Sequence, residues 1–285
     1  SPFYRLFTNI VPGRCETSLD LYQGLRRMNS YQFNTVVCLH MLNQACTVSI
    51  QELKKNCSNC NLKELCMPVG LKPDELDRLD ALVSLRRKVG KGENLFRTGE
   101  AFSSLYAVKT GTFKTLVNNQ DGSDQVIGFQ MTGELLGLDG LGSGQHMCDS
   151  VALEDSEVCT IPYSRLDELA QQFHALQMHF HRIMSREIVK DHNAMLLLGS
   201  MRAEQRLSAF LVNLAERQKA RGFSSRDMVL RMTREEIGSY LGMKIETVSR
   251  TFSKLQKDAL IKVDQKNLTI LDSAGLQGLA TGKAH

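Results

Sequence analysis

Four cysteines have the residue type and spacing to hold a metal ion or a cluster. Cys57, Cys60 and Cys66 lie close together in the run NCSNCNLKELCMP, and Cys159 follows about ninety residues later. Thiolate sulfur is a soft ligand, and four thiolates complete either a tetrahedral zinc site or an iron-sulfur cluster. The five-residue gap before Cys66 and the distant fourth ligand favour the cluster, because structural zinc sites usually add a second C-x2-C or a histidine pair. Zinc remains the alternative.

The remaining cysteines show no mutual spacing. Cys15, Cys38, Cys46 and Cys148 are interpreted as small buried or incidental residues. Cys148 is ambiguous, because it precedes Cys159 in QHMCDSVALEDSEVC and could itself be the fourth ligand. A disulfide framework is not expected in a chain long enough to build ordinary cores. Reduced thiols therefore indicate a cytoplasmic protein.

The composition is that of a globular chain with more than one domain. Its 285 residues predict two domains of ordinary size, and 42% hydrophobic residues can form a core in each. No apolar stretch is long enough to span a bilayer, and no secretory signal pattern is present. The net charge of +4 is mildly basic, so a nucleic-acid partner has to be argued from local residues.

A second functional pattern lies in LRMTREEIGSYLGMKIETVSRTFSKLQKDALIKV. Thr233 and Glu236 have the spacing of a capping box, and Gly242 stands where helices commonly end. A second helix follows at once, with apolar residues at steps of three and four: Ile245, Val248, Phe252 and Leu255. The pattern predicts a helix-turn-helix, and ALIKVDQKNLTIL after it predicts a two-stranded wing.

The outward residues of the second helix have the chemistry to read bases. They are Glu246, Thr247, Ser249, Arg250 and Lys254. Arg250 can donate two hydrogen bonds to guanine, Glu246 can accept from cytosine, and Ser249 can contact thymine or a polar base edge. Basic residues around them can neutralise phosphates, which adds affinity without specificity. These cations are Arg231, Arg234, Lys244, Lys254 and Lys257.

Short stretches rich in β-branched and aromatic residues occupy the middle of the chain. They are RRKVGKGENLFRTG, SLYAVKTGTFKTLVN, DQVIGFQMTG and SVALEDSEVCTIP, and their spacing predicts a small antiparallel barrel or jelly roll. A short amphipathic helix is predicted before them in LKPDELDRLDALVSL. The glycines are interpreted as turn residues. They do not form a phosphate-binding motif, because GLDGLGSG lacks the Lys-Ser/Thr ending of a P-loop.

After Pro162 the apolar period predicts a short helix, a long helix and a third helix. One stripe of the long helix could form a dimer seam, and it contains Phe180, Met184, Ile188, Met195 and Leu198. Asp191 falls on the same stripe, where it would make pairing conditional unless the stripe drifts and leaves it at the solvent edge. His174, His181 and His192 are more than a helical turn apart, and His179 and His181 point in different directions, so a metal site is not expected there.

The chain resembles the FNR branch of the CRP/FNR transcription regulators from about residue 53 to 272. The resemblance rests on CSNCNLKELC, SLYAVKTGTFKT, GELLGLDGLGSG, EVCTIP and the helix IETVSR. It implies an α+β protein with an N-terminal cluster-binding segment, a jelly roll like that of cyclic-nucleotide-binding domains, a long dimerisation helix and a C-terminal winged helix-turn-helix. The expected bounds are 1–46 for an unassigned extension, 47–70 for the cysteine-rich segment, 71–173 for the barrel, 174–200 for the dimerisation helix, 201–275 for the DNA-binding domain and 276–285 for a tail. Met41 is a candidate natural start.

By this resemblance, an oxygen-labile [4Fe-4S] cluster is held by Cys57, Cys60, Cys66 and Cys159, and the match of VC before IP selects Cys159 over Cys148. The family's ESR pattern maps to Glu246, Ser249 and Arg250, and Thr247 and Lys244 are further expected DNA contacts. The implied target is a palindrome related to TTGAT-N4-ATCAA. The expected dimerisation residues are Met184, Ile188, Asp191, Met195 and Leu198.

Two departures from the superfamily matter. Members that bind cyclic nucleotides carry an Arg-Ser/Thr-Ala cassette after their GEL motif, whereas GELLGLDGLGSGQHMCDS contains no arginine, so no cyclic nucleotide is expected. Lys244 stands where relatives place Ser or Thr as the N-cap of the recognition helix, and the missing cap should cost about 0.5–2 kcal/mol locally.

The expected protein is a regulator of anaerobic metabolism that works with RNA polymerase and is not an enzyme. A homodimer is required because each helix-turn-helix reads one half-site, about 34 Å from the next. The cluster would favour the dimer, and oxygen would dismantle the cluster and release it. Two alternatives stay open: a zinc-stabilised regulator without oxygen sensing, and an iron-sulfur electron-transfer protein, which no nucleophile-base motif or second cofactor motif supports.

Overall fold

The structure, a computed structural model, describes residues 72, 77–79, 81, 83, 85–118, 122 and 124–282. The N-terminal extension and the segment with Cys57, Cys60 and Cys66 lie outside these residues. Of the helix predicted before the barrel, 77–79 and 81 are described and helical. In the described part of the chain, no helix is both long and apolar enough to cross a membrane.

Eight strands form the N-terminal domain of the described chain. They are β1 (Leu85–Val89), β2 (Asn94–Phe96), β3 (Ser104–Thr110), β4 (Thr112–Asn118), β5 (Asp124–Met131), β6 (Leu135–Leu136), β7 (Asp149–Ala152) and β8 (Ser156–Pro162). Two antiparallel sheets have the strand orders β1-β8-β3-β6 and β2-β7-β4-β5. The predicted jelly roll is therefore confirmed. The sequence did not predict β6, which lies within the glycine-rich segment.

Apolar residues of both sheets point inward and form the barrel core together with Cys148, which directly precedes β7. The core residues are Val89, Leu95, Phe96, Val108, Phe113, Leu136, Cys148, Ala152 and Val158. The turn between β3 and β4 requires a glycine, because Gly111 has φ 98° and a Cβ there would lie 2.0 Å from Ser156 Oγ. The predicted role of this glycine as a turn residue is confirmed.

Three helices follow the barrel, as predicted. They are α1 (Tyr163–Gln172), α2 (His174–Ser200) and α3 (Ala203–Ala220). Extended backbone at Phe173 separates α1 from α2, and extended backbone at Met201 and Arg202 separates α2 from α3. Leu166 and Leu176 pack with Leu105 of β3, so the start of the long helix is fixed to the barrel.

The C-terminal domain contains β9 (Asp227–Val229), α4 (Arg234–Leu241), α5 (Ile245–Lys257), β10 (Ile261–Asp264), β11 (Asn267–Ile270) and α6 (Ser273–Ala280). The predicted wing is present, but β9 also pairs with β11 and gives a three-stranded sheet of order β10-β11-β9. α6 extends across residue 276, where a C-terminal tail is expected from the sequence to begin. Asp272 caps this helix by accepting from Gly275 N at 2.9 Å, and Leu276 is buried.

The barrel and the DNA-binding domain share one hydrophobic core. Val126, Phe129 and Met131 of β5 belong to the same buried cluster as the core residues of α3, α4 and α5. Phe129, Phe210 of α3 and Tyr240 of α4 form an aromatic triangle with ring centroids 5.3–6.0 Å apart. The position of α4 therefore depends on β5.

Polar contacts reinforce this joint. Glu134 accepts from Arg217 at 2.6 and 2.9 Å and also from Arg221. Burial would raise the pKa of Glu134, but Arg217, Lys190 and Arg221 together hold the pKa at about 2. The carboxylate is ionised and paired, as a half-buried charge between two domains needs to be. Ser239 of α4 adds a bond by accepting from Val126 N at 2.8 Å.

Candidate functional site

Local hydrogen bonds fix the start and end of α4. Thr233 Oγ1 accepts from Glu236 N at 3.1 Å, and the Glu236 carboxylate accepts from Thr233 N at 2.7 Å, which confirms the capping box. Glu236 also accepts from Lys114 of β4 at 2.8 Å. Burial would raise the pKa of Glu236, but the bonds from Lys114 and Thr233 lower it. At the other end Gly242 has φ 60°, the left-handed turn that directs the chain into α5.

The residues matched to the ESR pattern lie exposed on α5. The helix is anchored by Val248, Phe252 and Leu255, all buried as predicted. The prediction that Ile245 belongs to this apolar face is wrong, because it is 45% exposed at the first position of the helix. Thr247 is only half-exposed, and its hydroxyl accepts from Arg250 at 3.5 Å. The DNA contacts of these residues stay a prediction.

Lys244 occupies the N-cap of α5 without capping it. Its backbone is extended, with φ −66° and ψ 149°, as an N-cap requires, but its side chain makes no capping hydrogen bond. The prediction that α5 lacks a side-chain N-cap is confirmed. α5 therefore leaves backbone N–H groups of its first turn for water or for a phosphate.

Two of the cations predicted to contact phosphates have acidic partners within the chain. Arg231 Nε lies 3.0 Å from Glu154 of the barrel, and Lys254 Nζ lies 2.5 Å from Glu204 of α3. Both pairs are partly exposed, so each is worth little and can be exchanged for a phosphate contact. Arg231 and Lys254 can contact DNA phosphates only when these ion pairs break.

Arg234 has a structural place that the sequence did not predict. Its guanidinium carbon lies 3.1 Å from the centroid of the Phe252 ring, and burial lowers its pKa. This stacking joins α4 to α5, and the Arg234 side chain remains partly exposed. Lys244 and Lys257 are exposed and remain the expected phosphate contacts.

Cys159 lies in the middle of β8, on the outer face of the barrel. It is paired with Arg86 of β1 and with Ala107 of β3. Val158 points into the core with no exposed surface, so its neighbour Cys159 faces the other way and is half-buried. The other proposed ligands fall outside the described residues, and within those residues no group of three His, Cys, Asp or Glu is placed to hold a metal.

Cys148 has the opposite environment. It belongs to the barrel core with 5% exposure, and its thiol donates to Asp139 Oδ2 at 3.4 Å. Burial, followed by the charge and hydrogen bond of Asp139, raises the pKa of Cys148 well above its usual range. A thiol that stays protonated inside a core is a poor metal ligand, which favours Cys159 as the barrel's contribution to a cluster.

The predicted dimerisation stripe is largely exposed in the single chain. Ile188, Met195 and Leu198 are 52%, 69% and 41% exposed, whereas Met184 is half-buried. Asp191 is exposed beside them. Val189 and Leu196 widen the exposed apolar surface. A helix with this much exposed apolar side chain is suited to pairing with a partner, and the pairing itself stays a prediction.

The domain composition defines the class of protein. Residues 86–173 match the cyclic nucleotide-binding domain, and residues 205–279 match the Crp-like helix-turn-helix domain. A sensor-type barrel joined to a helix-turn-helix is the arrangement of a DNA-binding transcription regulator. The expectation that the chain is not an enzyme is confirmed by relatives that are transcriptional regulators.

Three such relatives place the chain more closely. It is 44% identical over 224 residues to the transcriptional regulatory protein btr of Bordetella pertussis, covering 79% of this chain and 93% of that protein. It is 43% identical over 238 residues to the transcriptional activator protein anr of Pseudomonas aeruginosa, covering 83% and 98%. It is 41% identical over 225 residues to the fumarate and nitrate reduction regulatory protein of Escherichia coli, covering 79% and 90%.

A solved structure agrees with these relatives. FixK2 from Bradyrhizobium japonicum superposes with a TM-score of 0.64 at 26% identity, covering 68% of this chain and 96% of that one. The chain therefore belongs to the CRP/FNR superfamily of transcription regulators, as an FNR-type member.

Sequence reasoning missed the residues that join the two domains and the acid that holds Cys148. Glu134, Ser239 and Lys114 carry the joint, and each meets a partner more than eighty positions away. Only the GEL motif drew attention to Glu134, and it gave no partner. Asp139 lies in a glycine-rich stretch for which the sequence predicts only turns.

Proposed function

We propose that this chain is an oxygen-responsive transcription regulator that binds palindromic DNA as a homodimer and controls genes of anaerobic metabolism. The single observation that carries the DNA-reading part is the exposure of Glu246, Ser249 and Arg250 on a helix whose opposite side is buried. The relatives support the anaerobic part through the name of the Escherichia coli protein, which refers to fumarate and nitrate reduction.

Cys57, Cys60, Cys66 and Cys159 are the proposed ligands of a [4Fe-4S] cluster. The described thiol fits this role, because Cys159 lies on the outer face of β8 beside the first strand of the barrel. A segment that precedes β1 can reach this face without entering the core. When bound, the cluster would supply the oxygen sensitivity, and thiolate ligation is the chemistry that such clusters require.

The proposed target is a palindrome related to TTGAT-N4-ATCAA. Arg250 suits the guanine of each half-site, since its side chain is exposed and can form two parallel hydrogen bonds to the O6 and N7 atoms. Ser249 and Glu246 lie beside it on the same face. Lys244 and Lys257 supply phosphate contacts that position the helix. RNA polymerase is the expected partner once the dimer is on DNA.

Pairing through α2 is the proposed control point. Ile188, Met195 and Leu198 offer apolar surface, while Asp191 from each chain places a negative charge on the same stripe. Such a charge weakens pairing and leaves it dependent on another interaction. Replacement of Asp191 by alanine should make protein without the cluster more dimeric in sedimentation. Equal monomer fractions for variant and unaltered protein would contradict this control point.

The test of this function is a footprint on the palindrome before and after exposure to air. Protein purified under nitrogen should protect both half-sites, and the protection should disappear in air. A footprint that is unchanged by air would rule out oxygen control and leave the zinc-stabilised regulator as the better account. A control palindrome with altered TTGAT halves separates sequence-specific protection from general affinity for DNA.

A further inference from the structure

The loop between β6 and β7 holds a carboxylate in a ring of hydrogen-bond donors. Asp139 Oδ2 accepts from Met147 N at 2.7 Å, from Cys148 N at 3.3 Å and from the Cys148 thiol at 3.4 Å. Asp139 Oδ1 lies 3.4 Å from His146 Nδ1. Two consecutive backbone N–H groups that point at one oxygen are a common way for proteins to bind an anion.

Packing fixes these donors before any anion is considered. His146 is 2% exposed and stacks on Phe96 with ring centroids 3.8 Å apart, and Phe102 meets its edge at 5.6 Å. Cys148 is part of the barrel core. His146 and Cys148, on either side of the exposed Met147, are therefore held by packing against the barrel. The carboxylate of Asp139 meets donors whose positions this packing sets.

The short 3-10 turn Leu138–Gly140 delivers the carboxylate. Gly137 before it has φ 93°, a conformation that favours glycine. Gly140, the last residue of the turn, packs so closely on Phe102 that a Cβ would lie 2.7 Å from that side chain. The glycines that looked like ordinary turn residues thus allow Asp139 to reach Met147 and Cys148.

We propose that the loop from Leu138 to Cys148 is an oxyanion cradle that the chain fills with its own carboxylate, Asp139. The domain matches a family named for cyclic nucleotides, ligands whose charged group is an oxyanion. Here the negative charge is built into the chain. An external anion would find these donors already bonded to Asp139 and would be repelled by its negative charge. The loop therefore completes its hydrogen bonds without a bound ligand. The signal then has to enter elsewhere, and this proposal holds whether or not the chain carries a cluster.

Chemical rescue tests the cradle. Asp139→Ala removes the carboxylate and leaves space of the size of formate, so the melting temperature should fall by roughly 5 °C. Sodium formate should then raise the melting temperature of this variant more than sodium chloride does at equal ionic strength. The unaltered protein should show no such difference between the two salts. The measurement needs no DNA and can be made on the full chain in air.

Asp155→Ala is the matched control. Asp155 also accepts from a backbone N–H of the barrel, that of Lys91 at 2.9 Å, but in an exposed turn. The melting temperature of Asp155→Ala should rise no more in sodium formate than in sodium chloride. An equal response of the two alanine variants, or an Asp139→Ala variant as stable as the unaltered protein, would overturn the proposal.

A second variant keeps the test valid if Asp139→Ala does not fold. Asp139→Asn preserves the shape and one acceptor oxygen but removes the negative charge. It should melt below the unaltered protein, and formate should not restore it because the amide still fills the space. Full stability of Asp139→Asn would contradict a cradle that needs an anion.

Discussion

The DNA-binding domain and the barrel hold their functional residues in different ways. In the DNA-binding domain, Glu246, Ser249 and Arg250 lie on one short helix, next to buried residues of the same helix that anchor it. In the barrel, the one described candidate ligand, Cys159, lies on an outer face, and the other expected ligands belong to a segment before the barrel. A reading surface can be local, whereas a sensor site joins distant parts of a chain. Variants should therefore separate sensing from reading.

The largest difference is expected between serine variants of the two barrel cysteines. Cys159→Ser should lose iron and about 10³-fold in anaerobic DNA affinity, the gap between specific and non-specific binding. Cys148→Ser should keep its iron, because the Cys148 thiol is buried and bonded to Asp139. Iron analysis and a gel shift under nitrogen measure both. Loss of iron in the Cys148 variant alone would reverse the assignment of the fourth ligand.

The next effect concerns the joint between the regions. Glu134→Gln should destabilise the chain by about 2–4 kcal/mol, because Arg217 and Arg221 lose the carboxylate that neutralises them. The folded pKa of about 2 lies below the ordinary value near 4.3. Stability from this carboxylate is thus present above about pH 4.5 and disappears as the pH falls towards 2. The variant should lack that part of the acid dependence in denaturant titrations.

Glu187→Gln is the control for the joint. Glu187 pairs with Lys190 at 3.1 Å on the surface of α2, so its loss should change stability by less than about 0.5 kcal/mol. If both variants unfold alike, the contact between barrel and DNA-binding domain contributes no more than a surface pair.

A smaller effect is expected at the reading surface. Arg250→Ala should lose about 1–3 kcal/mol of affinity for the palindrome and should discriminate less at the guanine position. Lys257→Ala should weaken binding to all sequences alike, because a phosphate contact carries no sequence information. Competition with single-base variants of the target measures the difference. Iron content should be normal in both variants. A lower iron content in Arg250→Ala would show that cluster binding and DNA recognition are not separate.

The smallest effect is expected at the uncapped start of α5. Lys244→Ser should stabilise the DNA-binding domain by about 0.5–1 kcal/mol, since serine can accept from the orphan N–H groups that lysine leaves. It should also reduce the salt slope of DNA binding by about one phosphate contact. Thermal unfolding tests the gain in stability, and DNA binding at several salt concentrations tests the change in salt slope. Lys257→Ser, at the end of the helix, should change the slope without the gain in stability.

The parts predicted from the sequence are those governed by near neighbours. The capping box of Thr233 and the turn at Gly242 follow rules that span a few residues, and both are confirmed. Ile245 failed because periodicity does not tell whether the first residue of a helix reaches the core. The stacking of Arg234 on Phe252 and the packing of α6 on α3 could not be predicted, because no local pattern encodes contacts between distant residues.

The same reason explains the unforeseen features of the barrel. Its strands follow from alternation and turn glycines, but the cradle of Asp139 depends on a turn that returns the chain to Met147 and Cys148. The contact of β5 with α4 likewise joins residues more than a hundred positions apart. Composition and spacing indicate which elements exist, and tertiary packing decides which of their side chains meet.

Iron and acid-labile sulfide, counted per chain together with the visible spectrum of protein purified under nitrogen, test the central claim most directly. A [4Fe-4S] cluster on Cys57, Cys60, Cys66 and Cys159 predicts brown protein with about four iron and four sulfide per chain, and colour that fades in air. The Cys159→Ser variant should be colourless in the same preparation. Colourless unaltered protein that contains one zinc per chain would contradict the claim.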